Sequence, residues 1–389
     1  MSLIPASVVI HRWYDTLVKV RYGTLHFVTP AGERVTFHGP QPGPQAEFCI
    51  SSWEVIRRMA ERGDIAMGED FIAGLWTTPD IEALFSFFLL NLDTLEGFAN
   101  GNAIQRSLLA LNNQFVRRNS REGSRRNIQA HYDVGNAFYS LWLDKTMTYS
   151  SALYAEKATP LEVAQTNKYQ RILDRIEGDH ASVLEIGSGW GGFAEQAVAR
   201  AHQLTGLTVS PAQYEYARAR LGNAANIRLQ DYRDTRGTFD AIVSIEMFEA
   251  VGERYWPVYF AQLRERLKRG GKAMVQTITI RDELFPAYRT RSDFVRHYVF
   301  PGGMLPSTQR FTEEAGKAGL RVTDNFTFGQ DYAETLRQWS QRLRARRSEV
   351  RALGYDEKFL RNWDYYLGMC AAAFAVGRTD VSQFELVHA

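Results

Sequence analysis

The chain has 389 residues, enough for two domains. Hydrophobic residues at 45% and charged ones at 23% describe an ordinary globular protein. A formal net charge of +2 argues against bulk nucleic-acid binding, and Cys49 and Cys370 have neither metal-ligand spacing nor a disulfide framework.

Residues 1 to about 40 alternate as strands do. Leu17-Val-Lys-Val-Arg-Tyr22, Gly23 and Thr24-Leu-His-Phe-Val28 predict a hairpin, followed by a strand at Arg34-Val-Thr-Phe-His38. Gly39-Pro-Gln-Pro-Gly-Pro44 predicts a loop. The stretch from Trp53 to Ala60 has helical periodicity, with Trp53, Ile56 and Ala60 on one side. Asp80 predicts the cap of a helix carrying Ile81, Leu84, Phe85, Phe88 and Leu89. These elements predict a small α+β domain over 1–115, whose apolar face is either core or a lipid-binding groove. The first residues show no signal segment, and the apolar run from Ile81 to Leu90 is too short to span a bilayer. Any lipid contact is therefore expected to be peripheral.

Arg117, Arg118, Arg121, Arg125 and Arg126 lie within ten residues, among Asn, Ser and Gly. They read as a basic linker over 116–130, either solvated or in contact with anionic headgroups. The second domain, 131–389, opens with His131-Tyr-Asp-Val-Gly-Asn-Ala-Phe-Tyr139. Its many aromatics beside small polar residues suit a partly enclosed site. A helix is expected from Leu161 to Ile176.

Next comes Val183-Leu-Glu-Ile-Gly-Ser-Gly-Trp-Gly-Gly-Phe193, an apolar strand, a glycine turn and a helix start. Its spacing also fits a phosphate-binding fingerprint, a weak signal alone. Two details favour S-adenosylmethionine over a dinucleotide. Glu185 sits inside the strand end, just before the turn, where a carboxylate can reach an ammonium group. The following strand, Leu204 to Val209, finishes at Thr208 and Ser210 and not in the acid that an NAD ribose requires. Further strands are expected at Asn226–Gln230, Phe239–Ile245 and Lys272–Ile280, with helices from Pro211 and over Trp256–Leu267. Polar residues stand at five successive strand ends: Gly187, Thr208, Asp231, Glu246 and Gln276. Ligands of such sheets bind outside those ends.

Several segments together resemble the cyclopropane-fatty-acyl-phospholipid synthase family, related to the mycolic acid methyltransferases. They are His131-Tyr-Asp-Val-Gly-Asn136, Met147-Thr-Tyr-Ser150, the glycine turn, Gly206-Leu-Thr-Val-Ser210 with Gln213, Gln230-Asp-Tyr-Arg-Asp234, Phe248-Glu-Ala-Val-Gly252 and Tyr298-Val-Phe-Pro-Gly-Gly-Met-Leu-Pro-Ser307. The resemblance covers roughly 130 to 376, and the first domain resembles the lipid-binding domain of the bacterial synthases. It implies a Rossmann-like class I methyltransferase fold. It also implies that Tyr149, Ser150, Gly187, Gly189, Thr208, Gln213, Tyr232 and Ile245 hold S-adenosylmethionine, beside Glu185. Glu249, Tyr332 and the backbone of Ile278 match residues that hold a bicarbonate ion acting as base. Ser151 and Gln276 stand where the synthases have cysteine and histidine. Both can hydrogen-bond an anion, but Gln276 cannot carry a charge.

The implied reaction is methyl transfer to the double bond of an unsaturated phospholipid acyl chain at the inner face of the membrane. The product is a cyclopropane or, without ring closure, a methyl-branched or methylene chain. Tyr139, Tyr154, Phe248, Phe294 and Tyr298 are candidate aromatics for the carbocation. A homodimer and an oxidoreductase are candidate partners; no nucleic acid and no metal is expected. A non-catalytic lipid-binding protein and a small-molecule methyltransferase are the competing readings.

Overall fold

The computed structural model describes residues 6–99, 134–156, 158–291 and 293–389. The arginine-rich linker and residues 131–133 lie outside them. The chain forms two compact units, and after residue 289 it re-enters the first unit twice, over Thr290–Val299 and Arg347–Arg378.

In the first unit a helix, Ala6–Leu17, replaces the expected strands. Val9, Trp13 and Leu17 recur every fourth residue and are all buried. Strand β1 (Tyr22–Val28) pairs antiparallel with β2 (Arg34–His38). On its other side it pairs parallel with β3 (Gln41–Ile50), which covers the expected loop, and β3 carries the short β4 (Trp76–Thr77). Pro42 and Pro44 disguise β3, because proline cannot donate to a ladder. A register shift between Tyr22 and Thr24 accommodates them.

The helix Ile81–Leu90 is capped as expected: Asp80 accepts a hydrogen bond from the Ala83 amide at 2.9 Å. Its buried face packs on the helix Glu357–Ala375. Gly368 permits the contact, since an added Cβ would lie 2.7 Å from Cγ2 of Ile81. Tyr365 of the same helix meets Phe85, Phe71, Trp76 and Phe294 at ring separations of 5.1, 5.8, 6.4 and 4.6 Å. Residues 290–299 and 347–378 therefore differ from the contiguous 131–389 domain read in the sequence. Local periodicity shows that a helix has an apolar face but not which distant face covers it.

The second unit holds a seven-stranded sheet: β5 (Ser182–Ile186), β6 (Gln203–Thr208), β7 (Asn226–Leu229), β8 (Phe239–Ile245), β9 (Leu267–Ile280), β10 (Leu320–Thr327) and β11 (Thr379–His388). Its order is β10-β11-β9-β8-β5-β6-β7. The five strands from β9 to β7 are parallel, and β11 is antiparallel to both neighbours. Apolar clusters cover both faces. One contains Trp256, Phe260 and Phe311; the other contains Tyr169, Phe193 and Leu204. This is the expected Rossmann-like α/β class. Strand order reverses beside β5, so the crevice lies at the carboxyl ends of β5, β6 and β8.

Candidate active site

The glycine turn after β5 is tied down by its neighbours. The amides of Gly187 and Ser188 donate to the Leu207 carbonyl at 2.9 and 2.8 Å, and Trp190 Nε1 donates to Asn136 Oδ1 at 2.8 Å. Gly189 has φ +52°, and a Cβ built there meets no atom within 4 Å. The turn thus borders open space that a side chain would fill. Glu185 is buried, and its Oε2 has no hydrogen-bond partner among the described residues. Burial pushes its carboxyl up to about 8. Thr208 at the end of β6 donates to Gln213 Oε1 at 2.9 Å. Tyr232 follows β7 and packs edge-on against Tyr259, and Ile245 ends β8.

The segment 149–154 is held without regular structure of its own. From one side, Gln165 Nε2 donates to the Ser150 carbonyl at 2.9 Å and the buried Lys168 Nζ to Ser150 Oγ at 2.6 Å. From the other, the helix Gly329–Ala345 takes the Ala152 amide on Thr335 at 3.1 Å and the Tyr154 amide on Asp331 at 2.9 Å. Tyr149 lies in an aromatic wall, 5.2 Å from Trp339, 5.7 Å from Trp142 and 5.5 Å from Tyr139.

Two buried carboxylates divide the expected anion-holding residues between them. Glu246 Oε1 accepts from the Ser151 amide at 2.8 Å and from Gln276 Nε2 at 2.8 Å, while Oε2 accepts from the Tyr332 hydroxyl at 2.6 Å. Glu249 Oε1 accepts from the Ile278 amide and, at 3.0 Å, from Thr277 Oγ1. Its Oε2 has no partner among the described residues. So Tyr332, Gln276 and the Ser151 backbone converge on Glu246, and Ile278 alone of that set reaches Glu249. The Ser151 hydroxyl turns away, donating to the Ala152 carbonyl at 3.0 Å.

A relay fixes Gln276. Arg171 donates to Gln383 Oε1 at 2.8 Å, so the Gln383 amide nitrogen faces Gln276 Oε1, at 3.0 Å. The Gln276 amide nitrogen is thereby left for Glu246. Burial raises both carboxyls. Lys168, Tyr332, Ser151 and Gln276 oppose this at Glu246, whereas the Glu246 charge adds to it at Glu249. The pair is therefore arranged to hold a single negative charge on Glu246, with the proton on Glu249. Lys168 is itself pushed down to about 7 by burial, against the pull of Glu246 and Asp144.

Among the aromatics, Phe248 is packed in the core against Trp256 and Phe311. Phe294 and Tyr298 belong to the first unit, where Tyr298 donates to Glu69 at 2.7 Å. Sequence reasoning noted Glu246 only as a polar strand end. Its φ of +48°, which turns the side chain at the end of β8, has no sequence signature.

The sequence model described as mycolic acid cyclopropane synthetase matches residues 119–384. Tuberculostearic acid methyltransferase UfaA1 of Mycobacterium tuberculosis is 38% identical over 356 residues, covering 86% of this chain and 81% of that protein. The cyclopropane-fatty-acyl-phospholipid synthase of Escherichia coli is 32% identical over 359 residues, covering 91% and 89%. The solved structure of mycolic acid cyclopropane synthase CmaA1 complexed with SAH and CTAB superposes with a TM-score of 0.64 at 30% identity, covering 67% of this chain and 97% of that one.

Proposed function

Because the chain belongs to the mycolic acid cyclopropane synthetase family, we propose that it methylates the double bond of an unsaturated phospholipid acyl chain. It is an S-adenosylmethionine-dependent methyltransferase acting on lipid. The observation that carries the reading is the joining of two features in one crevice. A glycine turn open at Gly189 lies beside Glu185, and a walled, buried carboxylate site lies at the end of the adjacent strand β8.

The residues fit the cofactor. Gly189 leaves its backbone approach clear, Gly187 makes the turn at a φ of +87°, and the orphaned Glu185 oxygen would take its ammonium. Tyr149, Ser150, Thr208, Gln213, Tyr232 and Ile245 would complete the site. When bound, the sulfonium supplies an electrophilic methyl group. The chain's own task is to align the alkene, exclude water and accept a proton. Tyr139, Trp142, Tyr149 and Trp339 supply an apolar wall whose faces stabilise a cation without trapping it.

For the product we favour an open chain, a methylene or a methyl-branched alkene; a saturated methyl branch would need two electrons from a partner oxidoreductase. Gln276 cannot relay a proton, and the 38% identical relative is named for tuberculostearic acid. Ring closure is the second reading, supported by the E. coli synthase. No helix among the described residues is long and apolar enough to cross a membrane, and the proposed contact with lipid is peripheral, through the arginines of 117–126.

The test is lipid analysis of a host expressing the chain, fed methyl-deuterated cofactor precursor. Deuterium NMR separates a cyclopropane from a methylene. Three retained deuteriums mark proton loss from the chain, and two mark loss from the transferred methyl. A lipid pool with no added methyl label would end the proposal.

A further inference from the structure

We infer that the Glu246 carboxylate is the proton acceptor of this enzyme and fills, from within the chain, the oxyanion position that Ser151, Gln276 and Tyr332 define. This rests on the proposed function for the reaction, but the occupancy of the position does not.

Three donors converge on Glu246 from three separate elements: a backbone amide at 151, an amide side chain on β9 and a hydroxyl on the helix Gly329–Ala345. Such a set, with Lys168 behind it, suits one small oxyanion. Glu246 already satisfies all three donors, so no free ion of carboxylate size is needed there. The Arg171–Gln383–Gln276 relay holds the Gln276 nitrogen toward the carboxylate and prevents the amide from presenting its oxygen. Glu246 is also held at φ +48°, a conformation a glutamate adopts only when its surroundings over-determine it. Ser151 adjoins Ser150 and Tyr149, which would hold the cofactor, so the carboxylate is bound directly beside the proposed cofactor site.

The step balances without another reagent. The alkene π pair forms the new carbon–carbon bond as the methyl–sulfur bond breaks, its electrons leaving on sulfur. The resulting cation loses a proton to Glu246. The freed C–H pair closes either a ring bond or a double bond, and the proton then passes to solvent.

The test uses the full chain, wild type and Glu246→Gly. Glycine suits a positive φ and leaves an empty oxyanion position. Binding of 13C-bicarbonate, followed by carbon NMR, is expected for Glu246→Gly and not for wild type. This arm needs no lipid substrate, so it judges the occupancy even where no methylated lipid forms. In carbonate-free buffer, wild-type turnover is expected to be unchanged, and Glu246→Gly to fall by roughly 10²- to 10⁴-fold. Added bicarbonate or formate should restore part of the variant's rate, as it would not for a purely structural residue. Cofactor affinity by calorimetry should be retained, which separates loss of the base from loss of the fold. Equal bicarbonate binding by both proteins, wild-type turnover that needs bicarbonate, or a variant active without it would overturn the inference. So would a variant that binds bicarbonate without regaining rate.

Discussion

At the scale of single residues, the proposed roles divide between cofactor binding and proton handling. Gly189 borders the open space of the glycine turn. Gly189→Val is expected to abolish S-adenosylmethionine binding in a folded protein; calorimetry with unchanged affinity would remove that space from the cofactor site. Glu185 gives a prediction in pH. Its carboxyl is raised from 4.5 to about 8 by burial. Across that window the folded chain holds the proton that the unfolded chain has released. The stability of the cofactor-free protein should therefore fall as pH rises through it. Glu185→Gln should flatten the fall, as read from thermal melts across the window, and identical pH slopes would count against it. Glu249→Gln imitates the protonated partner of the pair and keeps an oxygen for the Ile278 amide. Its turnover should drop less than that of Glu246→Gly, and a larger drop would exchange the two roles. The glycine turn and the strand ends of this site were legible in the sequence, because they are local features. The sequence could not carry the pairing of Tyr332 and Gln276 with Glu246, which depends on three segments far apart in the chain.

At the scale of elements, legibility followed the pattern each element presents. β5, β6 and β8 are short apolar runs bounded by turns, and their observed limits fall within a residue or so of those read. β3 was hidden by its prolines and the first helix by neighbouring alternation, although Val9, Trp13 and Leu17 had the helical spacing. The Asp80 cap was legible because its chemistry is contained within four residues. Asp80→Ala should destabilise the first unit by about 1 kcal/mol, measured by denaturant unfolding. Gly368→Val should cost more, since its side chain must displace Ile81. Comparable losses for the two variants would mean that the helix contact yields more easily than its spacing implies.

At the scale of the whole molecule, the two units are not two consecutive lengths of chain. The apolar face formed by Phe71, Trp76 and Phe85 is covered by Tyr365 from far along the sequence. A fragment of residues 1–115 is therefore expected to leave that face bare, bind hydrophobic dye and melt without a sharp transition. A cooperative melt from the fragment would show that the face closes on its own. The arginines of 117–126 make a separate prediction. Replacing Arg117, Arg118, Arg125 and Arg126 with Ser should weaken binding to anionic vesicles, and salt should weaken wild-type binding in the same way. Equal binding to neutral and anionic vesicles at low salt would refute it.

Strand β11 lies between β9 and β10, yet it follows both in the sequence. A ribosome delivers it after every strand it must join. Until it emerges, β10 has no neighbour among the described strands, and Gln276 lacks the Gln383 amide that orients it. β5 to β8 pair with strands that all precede β11. A nascent chain stalled before residue 379 can therefore assemble its cofactor cradle while the Gln276 amide is still free to turn over. Chains ended before residue 379 are therefore expected to bind S-adenosylmethionine without turning it over, which calorimetry and a turnover assay on a chain ended at residue 378 would check.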